Sequence, residues 1–188
     1  MTLIQGDCLK ALKMFDHESV DCIVTSPPYW GLRDYGVDGQ LGCESTFGEY
    51  LGKLCDIFDE VKRTLTNTGT CWVNLGDTYA SLSGGNIGAT AKVGSTKLGV
   101  QRRGITTEVP EKSLCMIPFR FAIEMVDRGW ILRNTMIWHK PNAMPSSVTD
   151  RFTVDFEYLF LFVKSKRYMF QRQSEDAVDT ARRNKRCV

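Results

Sequence analysis

The sequence predicts an α/β fold with a mostly parallel sheet, on three observations. Strand-like and helix-like stretches alternate along the chain. Asp21-Cys22-Ile23-Val24-Thr25 is a short, apolar, β-branched run that stops at Ser26-Pro27-Pro28, the pattern of a buried parallel strand meeting a rigid turn. Residues 46–65 carry apolar side chains at three- and four-residue steps, the pattern of a helix packed on one face.

The elements follow in chain order. Residues 3–5 read as a short strand ending at Gly6-Asp7, and residues 8–15 as a helix with Leu9, Leu12 and Phe15 on one side. The strand at 21–25 must end at the prolines, which have no N–H to give a ladder. Thr46-Phe47-Gly48-Glu49 matches a capping box, and Asn67-Thr68-Gly69 reads as the stop of the helix it opens. A strand at 70–75 ends at Gly76-Asp77. Residues 81–104, rich in glycine, serine and threonine, cannot bury themselves and read as a functional loop or disorder. Residues 117–126 resume helical spacing and stop at Arg128-Gly129. Residues 130–138 and 158–163 read as two further strands. There is no internal repeat, and the 188 residues fit one domain, 1–188, with a basic tail at 164–188.

Composition excludes several classes. No apolar run approaches the ~20 residues that span a bilayer, and the N-terminus shows no secretory pattern. A soluble, cytoplasmic protein is expected. Seven cysteines without a Cys-x-x-Cys pair, beside two histidines, predict reduced, mostly buried thiols and no metal site. Charge is uneven: residues 1–60 hold 4 Lys/Arg against 11 Asp/Glu, residues 61–163 hold 12 against 8, and residues 164–188 hold 8 against 3. A bound polyanion is therefore expected along the second half, where a solvated tail is the alternative.

Ligands of open α/β sheets sit outside the carboxyl ends of the strands. Three polar motifs fall at such ends: Gly6-Asp7, Ser26-Pro27-Pro28-Tyr29-Trp30 and Asn74-Leu75-Gly76-Asp77. The second carries the chemistry. Its prolines fix the backbone, so Ser26 Oγ and the Pro27 carbonyl form a rigid acceptor pair. An exocyclic base amine delocalises its lone pair into the ring. Hydrogen bonds from its N–H groups to that pair draw the nitrogen toward tetrahedral geometry and free the lone pair. Tyr29 offers a flat face to a base flipped out of the duplex.

Residues 25–30, Thr-Ser-Pro-Pro-Tyr-Trp, resemble motif IV of the DNA amino-methyltransferases that make N4-methylcytosine or N6-methyladenine. The resemblance runs over nearly the whole chain. It includes Gly6-Asp7-Cys8-Leu9, Gly31-Leu32-Arg33-Asp34-Tyr35-Gly36, Trp72-Val73-Asn74-Leu75-Gly76-Asp77, the stretch Trp138-His139-Lys140-Pro141 onward, and residues 157–162. It implies an S-adenosylmethionine-dependent, Rossmann-like methyltransferase fold in permuted order, with the catalytic motif first. It implies S-adenosylmethionine as cofactor, bordered by Asp7, Cys8 and Thr25, and double-stranded DNA as partner. Serine in motif IV implies cytosine as the target, with adenine as runner-up. A methyltransferase of RNA or protein more often carries Asn-Pro-Pro-Tyr. The family's later Phe-x-Gly-x-Gly-like loop has no counterpart, so the chain is expected to be a catalytic N-terminal portion. It is completed by a second polypeptide carrying that loop, inactive as a remnant, or weakly active alone.

Single residues keep two readings each. Asp7 meets the cofactor or caps the helix after it; Asp77 is a strand-end acceptor or a turn residue; Asn74 lies inside its strand. His139 lines the base pocket or is structural. Lys140 meets base or phosphate, or is solvated. Trp30 contacts the substrate or forms a wall. Lys92, Lys97, Arg102, Arg103 and the run Arg182-Arg183-Asn184-Lys185-Arg186 are candidate phosphate contacts.

Overall fold

A computed structural model describes residues 2–81, 108–144 and 146–172. Seven elements follow in order: α1 (Cys8–Leu12), β1 (Val20–Thr25), α2 (Phe47–Thr64), β2 (Leu65–Leu75), α3 (Ile117–Asp127), β3 (Ile131–His139) and β4 (Phe156–Val163).

The strands form one sheet in the order β1-β2-β4-β3. β1 and β2 pair in parallel, while β4 runs antiparallel to both β2 and β3. Three strands therefore point one way, and the fourth is inserted between two of them in reverse. The consequence is positional. The carboxyl ends of β1, β2 and β3 and the amino end of β4 all meet at one rim of the sheet. Ser26, Gly76, Lys140 and Glu157 stand at those four ends.

α2 forms because its ends and its face agree. The Thr46 hydroxyl accepts from the Glu49 backbone N–H at 3.1 Å, a cap worth about 1 kcal/mol. Tyr50, Leu54, Phe58 and Val61 recur on one face and are all buried. α3 packs beside α2, with Phe58 and Phe121 ring centroids 5.1 Å apart. Phe160 and Phe162 of β4 close the other side of Phe121, at 6.5 and 5.9 Å. Alternation along β2 sends Cys71, Val73 and Leu75 into this core and Trp72 and Asn74 to the opposite face.

Five expectations need correction. Residues 3–5 form no strand: among the described residues β1 has a single ladder neighbour, β2, and Leu3 stands 88% exposed. Among the described residues β1 is therefore an edge strand, not a buried one, with Val24 75% exposed. The helix ends at Thr64, ahead of the stop expected at Asn67-Thr68-Gly69, and β2 starts at Leu65 and runs through those residues with a register break against β1. A Cβ on Gly69 would lie 2.7 Å from Leu65 Cγ and 2.9 Å from the Asp21 carbonyl oxygen. That glycine serves close packing rather than a turn. α1 is also shorter than its spacing predicts. It ends at Leu12, and tighter turns close residues 13–15. Of the cysteines, Cys55, Cys71 and Cys115 are buried, but Cys8 and Cys22 are exposed. Among the described residues no helix is long and apolar enough to cross a membrane.

Candidate active site

β1 ends at Thr25, and Ser26-Pro27-Pro28-Tyr29 leaves the sheet at the rim. Two contacts hold this segment. Tyr50, in the first turn of α2, donates its hydroxyl to the Pro28 carbonyl at 2.9 Å. Gly31 donates its N–H to the Gly42 carbonyl at 2.7 Å, which folds the loop after the motif back onto it. Gly42 has φ +97, and a Cβ there would meet the Tyr29 carbonyl at 2.9 Å. Only glycine allows that approach without strain.

The Tyr29 ring lies against Gly76, the first residue past β2. A Cβ on Gly76 would stand 2.7 Å from Tyr29 Cε2. Bare backbone at this strand end is thus what lets the ring lie where it does. The ring's hydroxyl reaches Asn74 Oδ1 at 2.9 Å and Glu157 Oε2 at 3.0 Å. Ser26 Oγ stands 3.4 Å from both the Tyr29 hydroxyl and Asn74 Oδ1. Asn74 Nδ2 donates to the Tyr158 carbonyl at 3.2 Å. Lys140 Nζ pairs with Glu157 Oε1. Burial, first, and then the nearby Glu157 charge push the Tyr29 phenol up to about 12, against an opposing hydrogen bond from Ser26.

A cavity of about 290 Å³ opens onto this cluster, lined by Ser26, Pro27, Pro28, Tyr29, Leu32, Arg33, Tyr35 and Glu157. Its size is near the lower end for small-ligand pockets, about 300–1,000 Å³. A larger cleft of about 390 Å³ lies along the loop at 34–44. Its buried Glu44 is paired with Lys53 at 3.3 Å, and no strand-end group lines it.

The expected site residues separate into groups. Ser26, Pro27, Pro28 and Tyr29 share the cavity. Lys140 joins it through its ion pair with Glu157. Trp30 is corrected: it is 5% exposed, packs edge-on against Phe47 at 5.9 Å, and gives its N–H to the Glu44 carbonyl. It is a wall and has no face left for DNA. His139 does not line the cavity. On β3 it pairs with Phe156 while Trp138 pairs with Glu157, so alternation turns it to the face away from Glu157. There it lies 3.6 Å from Asp155. Asp7 accepts from Lys10 N at 2.9 Å and caps α1. Cys8 opens that helix, exposed, and Thr25 is half-buried at the end of β1. Asp77 caps at a distance: its carboxylate accepts the backbone N–H groups of Thr78, Met116 and Ile117 at 2.9–3.1 Å, the last two opening α3. Lys92, Lys97, Arg102, Arg103 and residues 182–186 lie outside the described residues.

Two site residues have no role in the sequence pattern alone: Glu157, and Gly76 as a glycine. A lone carboxylate in the apolar run Phe-Glu-Tyr-Leu-Phe-Leu-Phe-Val (156–163) is the available signal for the first.

A mixed α/β sheet with a proline-locked serine, a tyrosine and a carboxylate gathered at its strand ends places the chain among open α/β proteins, whose ligands in general sit outside the strand ends. Comparison narrows the class. The profile of a family described as DNA methylase matches residues 20–186. Type II methyltransferase M.Cfr9I of Citrobacter freundii is 45% identical over 193 residues, covering 100% of this chain and 63% of that protein. M.SmaI of Serratia marcescens is 42% identical, covering 99% and 65%. The chain belongs to the DNA methylase family. It spans about two thirds of the length of these relatives. Among solved structures, the cytosine-N4-specific PvuII DNA methyltransferase aligns with a TM-score of 0.60 at 22% identity, over 87% of this chain and 49% of that one. TTHA0409 of Thermus thermophilus, complexed with S-adenosyl-L-methionine, aligns with a TM-score of 0.57 at 21% identity, over 89% and 55%. These two alignments share the fold, an α/β methyltransferase sheet.

Proposed function

We propose that this chain carries the catalytic side of a site-specific DNA methyltransferase. Its substrate is a base flipped out of double-stranded DNA, its methyl donor S-adenosylmethionine, and its target the exocyclic N4 of cytosine. The carrying observation is Ser26 Oγ at the mouth of the cavity, 3.4 Å from two groups that can take its hydrogen. With that hydrogen turned to Asn74 or Tyr29, the serine lone pairs face the cavity as acceptors.

The chemistry follows from that arrangement. One amine N–H bonds to Ser26 Oγ and the other to the Pro27 carbonyl, while the Pro28 carbonyl is already taken by Tyr50. The nitrogen is drawn out of conjugation, and its lone pair becomes available on the open side. Tyr29 and Leu32 flank the ring. S-adenosylmethionine, when bound, would supply an electrophilic methyl to that lone pair and leave as the thioether, the nitrogen's surplus proton passing to solvent at the open cavity. Most of the acceleration is positional. Thr25, beside the 75% exposed Val24 at the open end of β1, offers a hydroxyl and uncovered apolar surface, which suit an adenosyl group. Asp7 keeps one carboxylate oxygen outside its helix cap, and Cys8 follows it. These three residues would hold the cofactor from this chain's side. A second polypeptide segment bearing a cofactor glycine loop would add along the free edge of β1, where Leu3 and Val24 are exposed. Arg33 and the basic second half of the chain would meet phosphate.

Serine supports cytosine, as does the fold shared with a cytosine-N4-specific enzyme. The test is incubation with labelled S-adenosylmethionine and mixed duplex DNA, followed by mass spectrometry of the nucleosides. N4-methylcytosine is expected. N6-methyladenine overturns the base assignment and keeps the mechanism. Duplex binding without any methylated nucleoside makes the chain a DNA-binding module.

A further inference from the structure

Counting hydrogens gives the Lys140–Glu157 pair a task. The Tyr29 hydroxyl has one hydrogen and two acceptors in reach, Asn74 Oδ1 at 2.9 Å and Glu157 Oε2 at 3.0 Å. Asn74 cannot relieve this conflict by turning its amide. Its Nδ2 already donates to the Tyr158 carbonyl at 3.2 Å, and a flip would set two oxygens against each other. Only the hydrogens of Tyr29 and Ser26 are free to choose.

The two choices differ in what they leave at Ser26. If Tyr29 donates to Asn74, Glu157 faces a phenol oxygen with no hydrogen between them. Ser26 then shares the two lone pairs of Asn74 Oδ1 with Tyr29, or donates to the phenol oxygen that Glu157 opposes. If Tyr29 donates to Glu157, the bond is charge-assisted, roughly twice as strong as a neutral one. Asn74 Oδ1 is then open to the Ser26 hydrogen, and the serine lone pairs are left facing the cavity. Lys140 holds the carboxylate in place through its other oxygen. Glu157 is half-buried at the amino end of β4, and Lys140 stands just beyond β3, so the rim of the sheet itself brings the pair together.

We propose that Glu157, held by Lys140, is a positioning residue: it takes the Tyr29 hydrogen and thereby commits Ser26 Oγ to accept from the amine in the cavity. It acts through Tyr29 and Ser26. The inference deepens the amino-methyltransfer reading and rests on it. The other groups around the Tyr29 hydroxyl are Ser26 on its own segment, Asn74 on β2, and Tyr50 on α2.

The contact has a readout that does not require turnover. Tyrosines are replaced by 3-fluorotyrosine, whose fluorine also lowers the phenol's titration range. The residue-29 resonance is assigned by its loss in Tyr29→Phe and followed against pH by ¹⁹F NMR. Glu157→Gln should lower the midpoint, since a negative charge and a charged acceptor are gone. Lys140→Met should raise it, since the carboxylate loses its counter-charge. Opposite shifts are not what a packing role produces. In turnover, Glu157→Gln should lower kcat by roughly 10–100-fold, the scale of outer-shell partners, with KM for DNA nearly unchanged and partial rescue by Glu157→Asp. A Glu157→Gln midpoint equal to wild type, in a variant with the wild-type melting curve, overturns the proposal, as does an unchanged kcat. Failure of the wild-type chain to methylate any DNA counts against the proposed function instead, and the midpoints still decide the Glu157 contact.

Discussion

Phe121 and Tyr29 are both aromatic, and the difference between their surroundings separates two regions of the molecule. Phe121 is fully buried on α3, ringed by Phe58, Phe160 and Phe162. Its neighbours ask only for apolar volume, and the energy there is burial and dispersion. Tyr29 is half-buried at the sheet rim, its ring on a bare glycine and its hydroxyl between an amide and a carboxylate. Its neighbours ask for one atom in one place. The helix-packed face therefore holds the fold, while the rim contributes little to that stability and holds geometry. Perturbations should divide along the same line.

The largest effect belongs to the core. Phe121→Ala should cost about 3–5 kcal/mol, because the cavity it leaves lies among large rings that cannot collapse into it. The midpoint of urea unfolding measures it. A loss under about 1 kcal/mol, far below that core range, would mean α3 is not part of the core that the sheet requires. Gly76→Ala should reverse the pattern. Its added methyl would meet Tyr29 Cε2 at 2.7 Å, and the ring must tilt away. A misplacement of about 1 Å can cost roughly 100-fold in rate, so kcat should fall on that scale while the urea midpoint moves little. A variant that loses stability as heavily as activity would show that core and rim are one cooperative unit.

The same division explains what was legible in the sequence. α2 could be read because cap, spacing and burial are all local: Thr46 and Glu49 are three residues apart, and Tyr50, Leu54, Phe58 and Val61 follow one period. Ser26-Pro27-Pro28-Tyr29 could be read because proline acts on its own backbone. Glu157 could not. It meets Tyr29 across 128 positions, and the meeting depends on β4 being inserted in reverse between β2 and β3. No local pattern specifies strand order. The helix stop read at Asn67-Thr68-Gly69 falls at Thr64 instead, and β2 follows at once. Asn67, Thr68 and Gly69 sit in a break of the β1–β2 register, between Leu65 paired with Val20 and Thr70 paired with Cys22, and Gly69 lies where Leu65 and the Asp21 carbonyl pass close. Residues 3–5 looked like a strand because propensity says nothing about whether a partner strand lies beside them.

Smaller effects sharpen the boundary between the regions. Asp77 sits at the rim but serves the core, since its carboxylate accepts two N–H groups at the start of α3. Asp77→Ala should therefore cost about 1–2 kcal/mol of stability, as the loss of a strong cap does. A change confined to activity would instead assign Asp77 to the site.

The smallest effect is expected at the far end of the same helices. Arg128 closes α3 and bonds Asp56 at 2.8 Å and Asp59 at 2.6 Å on α2, as well as Glu124 at 2.8 Å on its own helix. Three acidic partners look like a strong clamp, yet each of them is more than 40% exposed. Exposed pairs contribute at most about 1 kcal/mol each, and often nothing. The α2–α3 contact is already made by Phe58 and Phe121. Arg128→Ala should thus lower stability by about 1 kcal/mol in dilute salt, and by less in about 1 M NaCl, where screening acts over about 3 Å. Thermal melts of both proteins at the two salt concentrations measure this. A loss that persists undiminished in the concentrated salt would mean that the clamp works by packing its aliphatic stem, which would extend the dispersive core to the end of α3.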